Sequence, residues 1–156
     1  MDVHRVRPGD EAYWAEAVAA LVPEDDRDGR LASAADLAHA LGDARCYLFL
    51  ALLDATPIGL LSAYRFPDVE GGGYLVYLYD LVVDEELRRQ GAGKALVAAL
   101  VAQCEAEGVR QIWAGTALDN AAARRTFEAT GAVLEGETYA EYTWALGDDT
   151  EQFPQS

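Results

Sequence analysis

Basic residues are scarce in this chain. Its 156 residues carry 12 Lys and Arg against 27 Asp and Glu, for a formal net charge of −15 and a pI near 4.3. Nucleic-acid binders carry a basic face, so no nucleic-acid partner is expected. A field of this sign draws polycations instead, although acidity also serves solubility alone. Cysteine is limited to Cys46 and Cys104, and histidine to His4 and His39. Both cysteines sit among apolar neighbours and read as small buried hydrophobes. The isolated histidines show no metal-ligand spacing, so no metal is expected. Long hydrophobic runs are missing too. The longest, Cys46 to Leu53, is far too short to span a bilayer. Asp2, His4, Arg5 and Arg7 interrupt the N-terminus before a signal-peptide core can form. No membrane contact is expected, and a cytoplasmic location is the default.

What is present is 51% apolar content in a length suited to one compact domain. "DVHRV" alternates as a strand, and Pro8-Gly9-Asp10 ends it. Tyr13, Trp14, Ala17, Val18 and Leu21 recur at helical spacing up to Pro23. "PEDDRDGR" follows as an acidic loop. Ser33 opens a second helix that Gly42 stops. "CYLFLALL" and "PIGLLSAYRF" form a hairpin about Asp54-Ala55-Thr56. After Gly71-Gly72-Gly73, "YLVYLYDLVV" is a long strand. A long helix then runs to about Glu107 and Gly108. "RQIWAGTA" is a short strand, and Asp119 or Asn120 caps a helix to Thr130. "AVLEGE" and "YAEYTWAL" read as two closing strands. The order β-α-α-β-β-β-α-β-α-β-β is a mixed α/β sheet with helices on both faces. It occupies one domain, 1–147, and 148–156 is a polar tail. Three consecutive strands before the long helix argue against a doubly wound sheet.

The segment Arg88-Arg89-Gln90-Gly91-Ala92-Gly93-Lys94 lies between strand and helix and gathers scarce cations around two glycines. A phosphate-binding P-loop requires a glycine where Arg88 stands and a hydroxyl where Ala95 stands. A dinucleotide fingerprint requires a third glycine where Leu96 stands. What remains is a helix N-terminus whose free N–H groups and dipole attract phosphate.

Arg88-x-x-Gly91-x-Gly93 resembles the pyrophosphate-binding motif of the GNAT superfamily of acetyl-CoA-dependent N-acetyltransferases. Asn120-Ala121-Ala122-Ala123 resembles that family's Asn-x-x-Ala segment beside the pantetheine arm. The resemblance covers almost the whole chain. It implies an acetyl-CoA site of Leu81, Val82, Val83, Arg88, Arg89, Gln90, Gly91, Ala92, Gly93, Lys94, Asn120, Ala123 and Phe127. Two positions depart from the pattern. Glu85 stands where many members have Pro. Phe127 stands where many have a Tyr that protonates the departing thiolate, which makes a core aromatic the better account of Phe127.

Tyr77-Leu78-Tyr79-Asp80-Leu81 resembles a segment of type I aminoglycoside 3-N-acetyltransferases, the gentamicin and fortimicin resistance enzymes. The acceptor so implied is a polyammonium molecule acetylated at its 3-amino group. Glu24, Asp25, Asp26 and Asp28, with Tyr79, Asp80 and Glu141, are the acceptor-side residues. The net charge suits that acceptor independently. Asp80 is the one carboxylate in an apolar and aromatic strand, and a buried unpaired carboxylate requires a reason. It accepts the proton of the attacking amine or orients that amine, unless local backbone amides satisfy it in a purely structural role. Backbone N–H groups of Leu81 or Val83 polarise the thioester carbonyl. Tyr139, Tyr142 or water protonates the thiolate. Relatives imply a homodimer. Two other readings stand beside this one: a GNAT enzyme acting on a polyamine or a protein N-terminus, and a CoA-binding module without catalysis.

Overall fold

In the computed structural model, residues 1–136 and 140–147 are described here. The elements are β1 (Asp2–Arg5), α1 (Glu11–Leu21), α2 (Ala34–Leu41), β2 (Cys46–Leu53), β3 (Thr56–Pro67), β4 (Tyr74–Val83), α3 (Ala92–Ala106), β5 (Gln111–Ala114) and α4 (Ala121–Ala129). Single 3₁₀ turns lie at Glu24–Arg27 and Glu85–Leu87. The strands form one sheet in the order β1-β2-β3-β4-β5. The first four pair antiparallel, and β5 joins β4 in parallel.

The sheet is buried on both sides, which explains why "CYLFLALL" is a continuous apolar run rather than an alternating one. Tyr47, Phe49, Leu61, Ala63, Val76 and Leu78 pack against Leu96, Val97, Leu100 and Cys104 of α3. Leu48, Leu50 and Leu60 face the other way, onto Trp14 and Ala17 of α1 and Leu37 of α2. In α3 the residues Leu96, Leu100 and Cys104 recur every fourth position, so one stripe is buried along its whole length. Ser33 and Asp36 start α2 with a reciprocal capping box, each side chain accepting from the other's backbone N–H. The β2–β3 turn holds Asp54 and Ala55 at φ of 50° and 65°, and the Tyr13 hydroxyl donates to the Ala55 carbonyl at 2.8 Å.

The C-terminal end of α3 is tied to the sheet by charge. The Tyr47 hydroxyl donates to Glu107 Oε2 at 2.6 Å, and Arg65 stands 3.6 Å from Glu107 Oε1. Arg5 covers the Tyr47 ring at 5.0 Å. Burial pushes the Cys104 thiol up to about 11, and burial also raises that of half-buried Cys46. Both are thiols rather than nucleophilic thiolates at neutral pH.

The end of the chain differs from expectation. Neither 132–136 nor 140–147 is a strand, and Val133, Tyr142, Trp144 and Leu146 are 84%, 78%, 81% and 77% exposed. Alternation makes a strand only where a neighbouring edge accepts its hydrogen bonds, and among the described residues no strand pairs with these segments. The 148–156 tail and Tyr139 lie outside the described residues. "RQIWAGTA" also contributes less than its length suggested, since β5 ends at Ala114.

Leu96 touches both the sheet and its own helix stripe and is fully buried. Leu96→Ala is expected to cost about 2–5 kcal/mol of unfolding free energy in denaturant titration, the range for emptying a leucine site in a close-packed core.

Candidate active site

Two neighbouring strands part here. Parallel pairing between β4 and β5 runs from Leu75↔Gln111 to Leu78↔Ala114 and stops. β4 continues to Val83 with β3 alone beside it, so Tyr79–Val83 has one open edge among the described residues. Which groups face that edge follows from the ladder. The Asp84 N–H donates to the Ile58 carbonyl at 2.8 Å. Antiparallel pairs alternate, so Val82 and Asp80 also bond toward β3 while Leu81 and Val83 turn their N–H groups to the open edge. Both expected carbonyl-polarising donors thus lie on that side.

A bulge sits at the same place. Ser62 pairs with Asp80 but Ala63 pairs with Leu78, leaving Tyr79 as the extra residue. A one-residue insertion exchanges the faces of everything beyond it. Simple alternation puts Asp80 with Leu78; the structure corrects this. Leu78, Leu81 and Val83 lie on the α3 side, and Val82 joins the α1 and α2 cluster. Asp80 therefore shares the α1 and α2 face with Ser62.

Past Val83 the chain turns into α3. The Asp84 carboxylate accepts from the Glu86 N–H at 2.9 Å, and Arg89 holds a φ of 77°. Gly91 is the N-cap at φ 81°, which L side chains rarely adopt, and a Cβ there meets nothing within 4 Å. Gly93 stands in a different setting. A Cβ there would lie 3.4 Å from Thr126 Cγ2 and 3.6 Å from Val83 Cγ2, in ordinary contact with α4 and β4. No side chain caps α3, and its first turn carries no acidic residue. Its first N–H groups, at Ala92, Gly93 and Lys94, precede the first bond within the helix, Ala95 to Gly91 at 2.9 Å. Arg88 is exposed and only loosely held, 3.5 Å from Glu85. Gln90 and Lys94 are exposed as well. The Asn120 side chain caps α4 by accepting from the Ala123 N–H at 3.1 Å. Phe127 is half-buried and packs against the α3 core cluster.

Asp80 is half-buried. Its desolvation raises its pKa, a backbone hydrogen bond from Leu81 partly opposes this, and the charge of Asp26 raises it further. Asp26, on the 3₁₀ turn after α1, is thus the loop carboxylate whose field reaches Asp80. Glu24, Asp25 and Asp28 share its exposed loop. Glu141 and Tyr142 are exposed in 140–147 and form no hydrogen bond among the described residues.

Sequence reasoning missed a set of rings on the Asp80 face. Tyr64 and Tyr79 meet edge-on with centroids 5.8 Å apart, and Tyr79 and Tyr77 at 6.3 Å. Tyr77 and Phe66 each lie 5.2 Å from Trp113. The available signal was the even positions of β3, Ser62, Tyr64 and Phe66, once the bulge is known.

A family model described as the acetyltransferase (GNAT) family matches residues 10–132. This protein belongs to the GNAT acetyltransferase family. GNAT acetyltransferases use acetyl-CoA as the acyl donor, and the uncapped α3 start beside an open strand edge fits an anionic, extended donor. No curated protein matches the sequence. Among solved structures, the chain is similar to an aminoglycoside acetyltransferase from an uncultured soil metagenomic sample, in complexes with trehalose and with sisomicin. The TM-scores are 0.82 and 0.81, at 23% identity over 94% of this chain and 96% of that one. It is also similar to aminoglycoside N-acetyltransferase AAC(6')-Iy in complex with CoA, with TM-score 0.69 at 23% identity over 92% and 98%. A ribosomal-protein-alanine N-acetyltransferase from Brucella melitensis biovar Abortus 2308 gives 0.69 at 18% identity over 92% and 100%. At these identities the likeness is one of fold.

The strain on Asp80 is measurable. A carboxyl whose pKa is raised by folding opposes the fold once ionised, so stability is lost as pH rises above the ordinary value of 3.8. Asp80→Asn keeps an acceptor for Leu81 and removes the charge. This GNAT protein is expected to melt at a higher temperature as the Asn variant at pH 7, with the gap closing below about pH 4. A lower melting temperature for the variant at pH 7 rules out a strained carboxylate.

Proposed function

We propose that this enzyme transfers the acetyl group of acetyl-CoA directly to an amine of an aminoglycoside, at the 3-amino position. The observation that carries the reading is Asp80: a half-buried carboxylate at an open strand edge, within the field of Asp26. An amine attacks a thioester only when neutral. Asp80 attracts the ammonium form and takes its proton, its raised pKa making it a better base than a surface aspartate. The N–H group of Leu81 or Val83 stabilises negative charge developing on the acyl oxygen; both face the open edge, and that of Leu81 is shared with the Asp80 carboxylate. Acetyl-CoA supplies the activated acyl group. The α3 N-terminus, with Arg88, Arg89, Gln90, Gly91, Ala92, Gly93 and Lys94, holds its pyrophosphate. Asn120, Ala123 and Phe127 flank the pantetheine arm, Asn120 acting through the cap that fixes the start of α4. The proton for the departing thiolate comes from Tyr139, Tyr142 or water. Glu24, Asp25, Asp28 and Glu141 extend the acidic field over the acceptor. The regiochemistry rests on the Tyr79-Asp80-Leu81 segment. The sisomicin complex of the soil-sample relative supports the acceptor class.

Acetyl-CoA turnover across an amine panel tests the acceptor. Gentamicin-like compounds are expected to release free CoA, with rates falling as salt rises because screening removes steering. Good turnover of peptides with none of any aminoglycoside rejects the acceptor. No turnover across the whole panel rejects catalysis.

Asp80→Asn tests the base. It is expected to lower turnover at pH 7 by about a hundredfold or more, within the range for general-base catalysis. Affinity for acetyl-CoA is expected to change little, and the deficit to shrink at high pH, where more amine is already neutral. A folded variant with parental turnover at pH 7 makes Asp80 structural.

A further inference from the structure

The sheet face bearing Asp80 is covered by α1 and α2 only over part of its width. Leu48, Leu50 and Leu60 are buried beneath these helices. Further along the same face, Tyr64, Tyr79 and Trp113 are 40%, 65% and 40% exposed. They are not scattered. Tyr64, Tyr79, Tyr77, Trp113 and Phe66 form one chain in which each ring lies within 6.3 Å of the next. An exposed aromatic surface of this extent marks a binding face. One end is polar. Ser62 pairs with Asp80 across the bulge, Tyr64 follows two residues on, and the charge of Asp80 is felt at the Tyr64 hydroxyl. The occupant must therefore present an apolar face to rings and positive charge to carboxylates at one end. A second copy of this chain, at net charge −15, is repelled from such an edge. A linear polyamine satisfies the charge and leaves the rings uncovered.

We infer that this aromatic face is the acceptor's ring subsite. An amino-substituted sugar or cyclitol lays the C–H face of its ring on Tyr64, Tyr79 and Trp113 and directs its ammonium groups to Asp80 and the Asp26 turn. The inference rests on the aminoglycoside reading and deepens it: the carboxylates select charge, and the rings select a cyclic carrier of that charge. The ring contacts are apolar burial with a cation–π contribution where an ammonium crosses a ring. They also set which amine reaches Asp80.

The test uses the double variants Tyr64→Leu/Trp113→Leu and Tyr64→Phe/Trp113→Phe, with Tyr79→Leu as a separate, exposed substitution. Gentamicin and spermidine are the two acceptors. Both are polycations, and only the first has rings. Calorimetry gives Kd with CoA present, and steady-state assays give KM and kcat. The Leu variants are expected to raise the gentamicin Kd and KM about five- to tenfold, the scale of lost ring contacts. The Phe variant is expected to stay near the parent, and KM for spermidine and acetyl-CoA to move less than about twofold. Unchanged gentamicin affinity in the Leu variants overturns the ring subsite while leaving the proposed function intact. Equal losses for gentamicin and spermidine also overturn it, because the face then reads charge alone. A parent that neither binds nor acetylates gentamicin removes both readings together.

Discussion

The parting of β4 from β5 is the constraint on which the rest of the site depends. Backbone groups inside a sheet are spent on neighbouring strands, and a catalyst that uses backbone N–H groups as donors has to leave some unspent. Here β5 is four residues long and ends opposite Leu78, while β4 runs five residues further. The bulge at Tyr79 falls where the pairing stops. Parting supplies the free edge, and the bulge turns Asp80 off the α3 side and Leu81 onto it. Without the bulge, Asp80 faces the apolar packing of Leu96 and Leu100. With it, the carboxylate and the free edge lie on the same five residues.

Such an edge survives because both faces of the sheet are anchored elsewhere. β2 and β3 are buried from two directions, and the Tyr47–Glu107–Arg65 contacts fix the far end of α3. The near end of α3 is therefore free to begin on Gly91 without a side-chain cap. Charge is sorted along the same line. The scarce cations Arg88, Arg89 and Lys94 gather at the α3 start, and Glu24, Asp25, Asp26 and Asp28 gather past α1. Under the proposed function, an anionic donor and a cationic acceptor approach β4 along opposite fields.

Much of this was legible from sequence, for identifiable reasons. The turn into α3 at Gly91 was readable because a left-handed helix start after a strand calls for glycine at a fixed place. Asp80 was readable because a lone carboxylate in "YLVYLYDLVV" violates the pattern around it. A splay or bulge in this strand is what the family resemblance implies, but its position escaped: a single extra residue at Tyr79 reverses the faces of the residues beyond it, and nothing local to the chain announces it. The aromatic face escaped for the same cause, because Tyr64, Tyr77 and Trp113 come from three strands and meet only through pairing. The closing strands were inferred from alternation in "YAEYTWAL", yet Tyr142, Trp144 and Leu146 face solvent.

Desolvation and field act on Asp80 in the same direction, and that agreement matters for chemistry. Burial alone gives a weaker acid with nothing to bring a cation near it. An acidic loop alone gathers cations without making any one carboxylate more basic. Asp26 near a half-buried Asp80 does both, since a second negative charge attracts the ammonium and also raises the proton affinity of the base. In the proposed reaction an arriving ammonium partly offsets the field of Asp26, and transfer of its proton to Asp80 leaves a neutral amine at the open edge that the Val83 N–H faces. In that proposed reaction, the charge that draws the acceptor is also the charge that raises the proton affinity of the base.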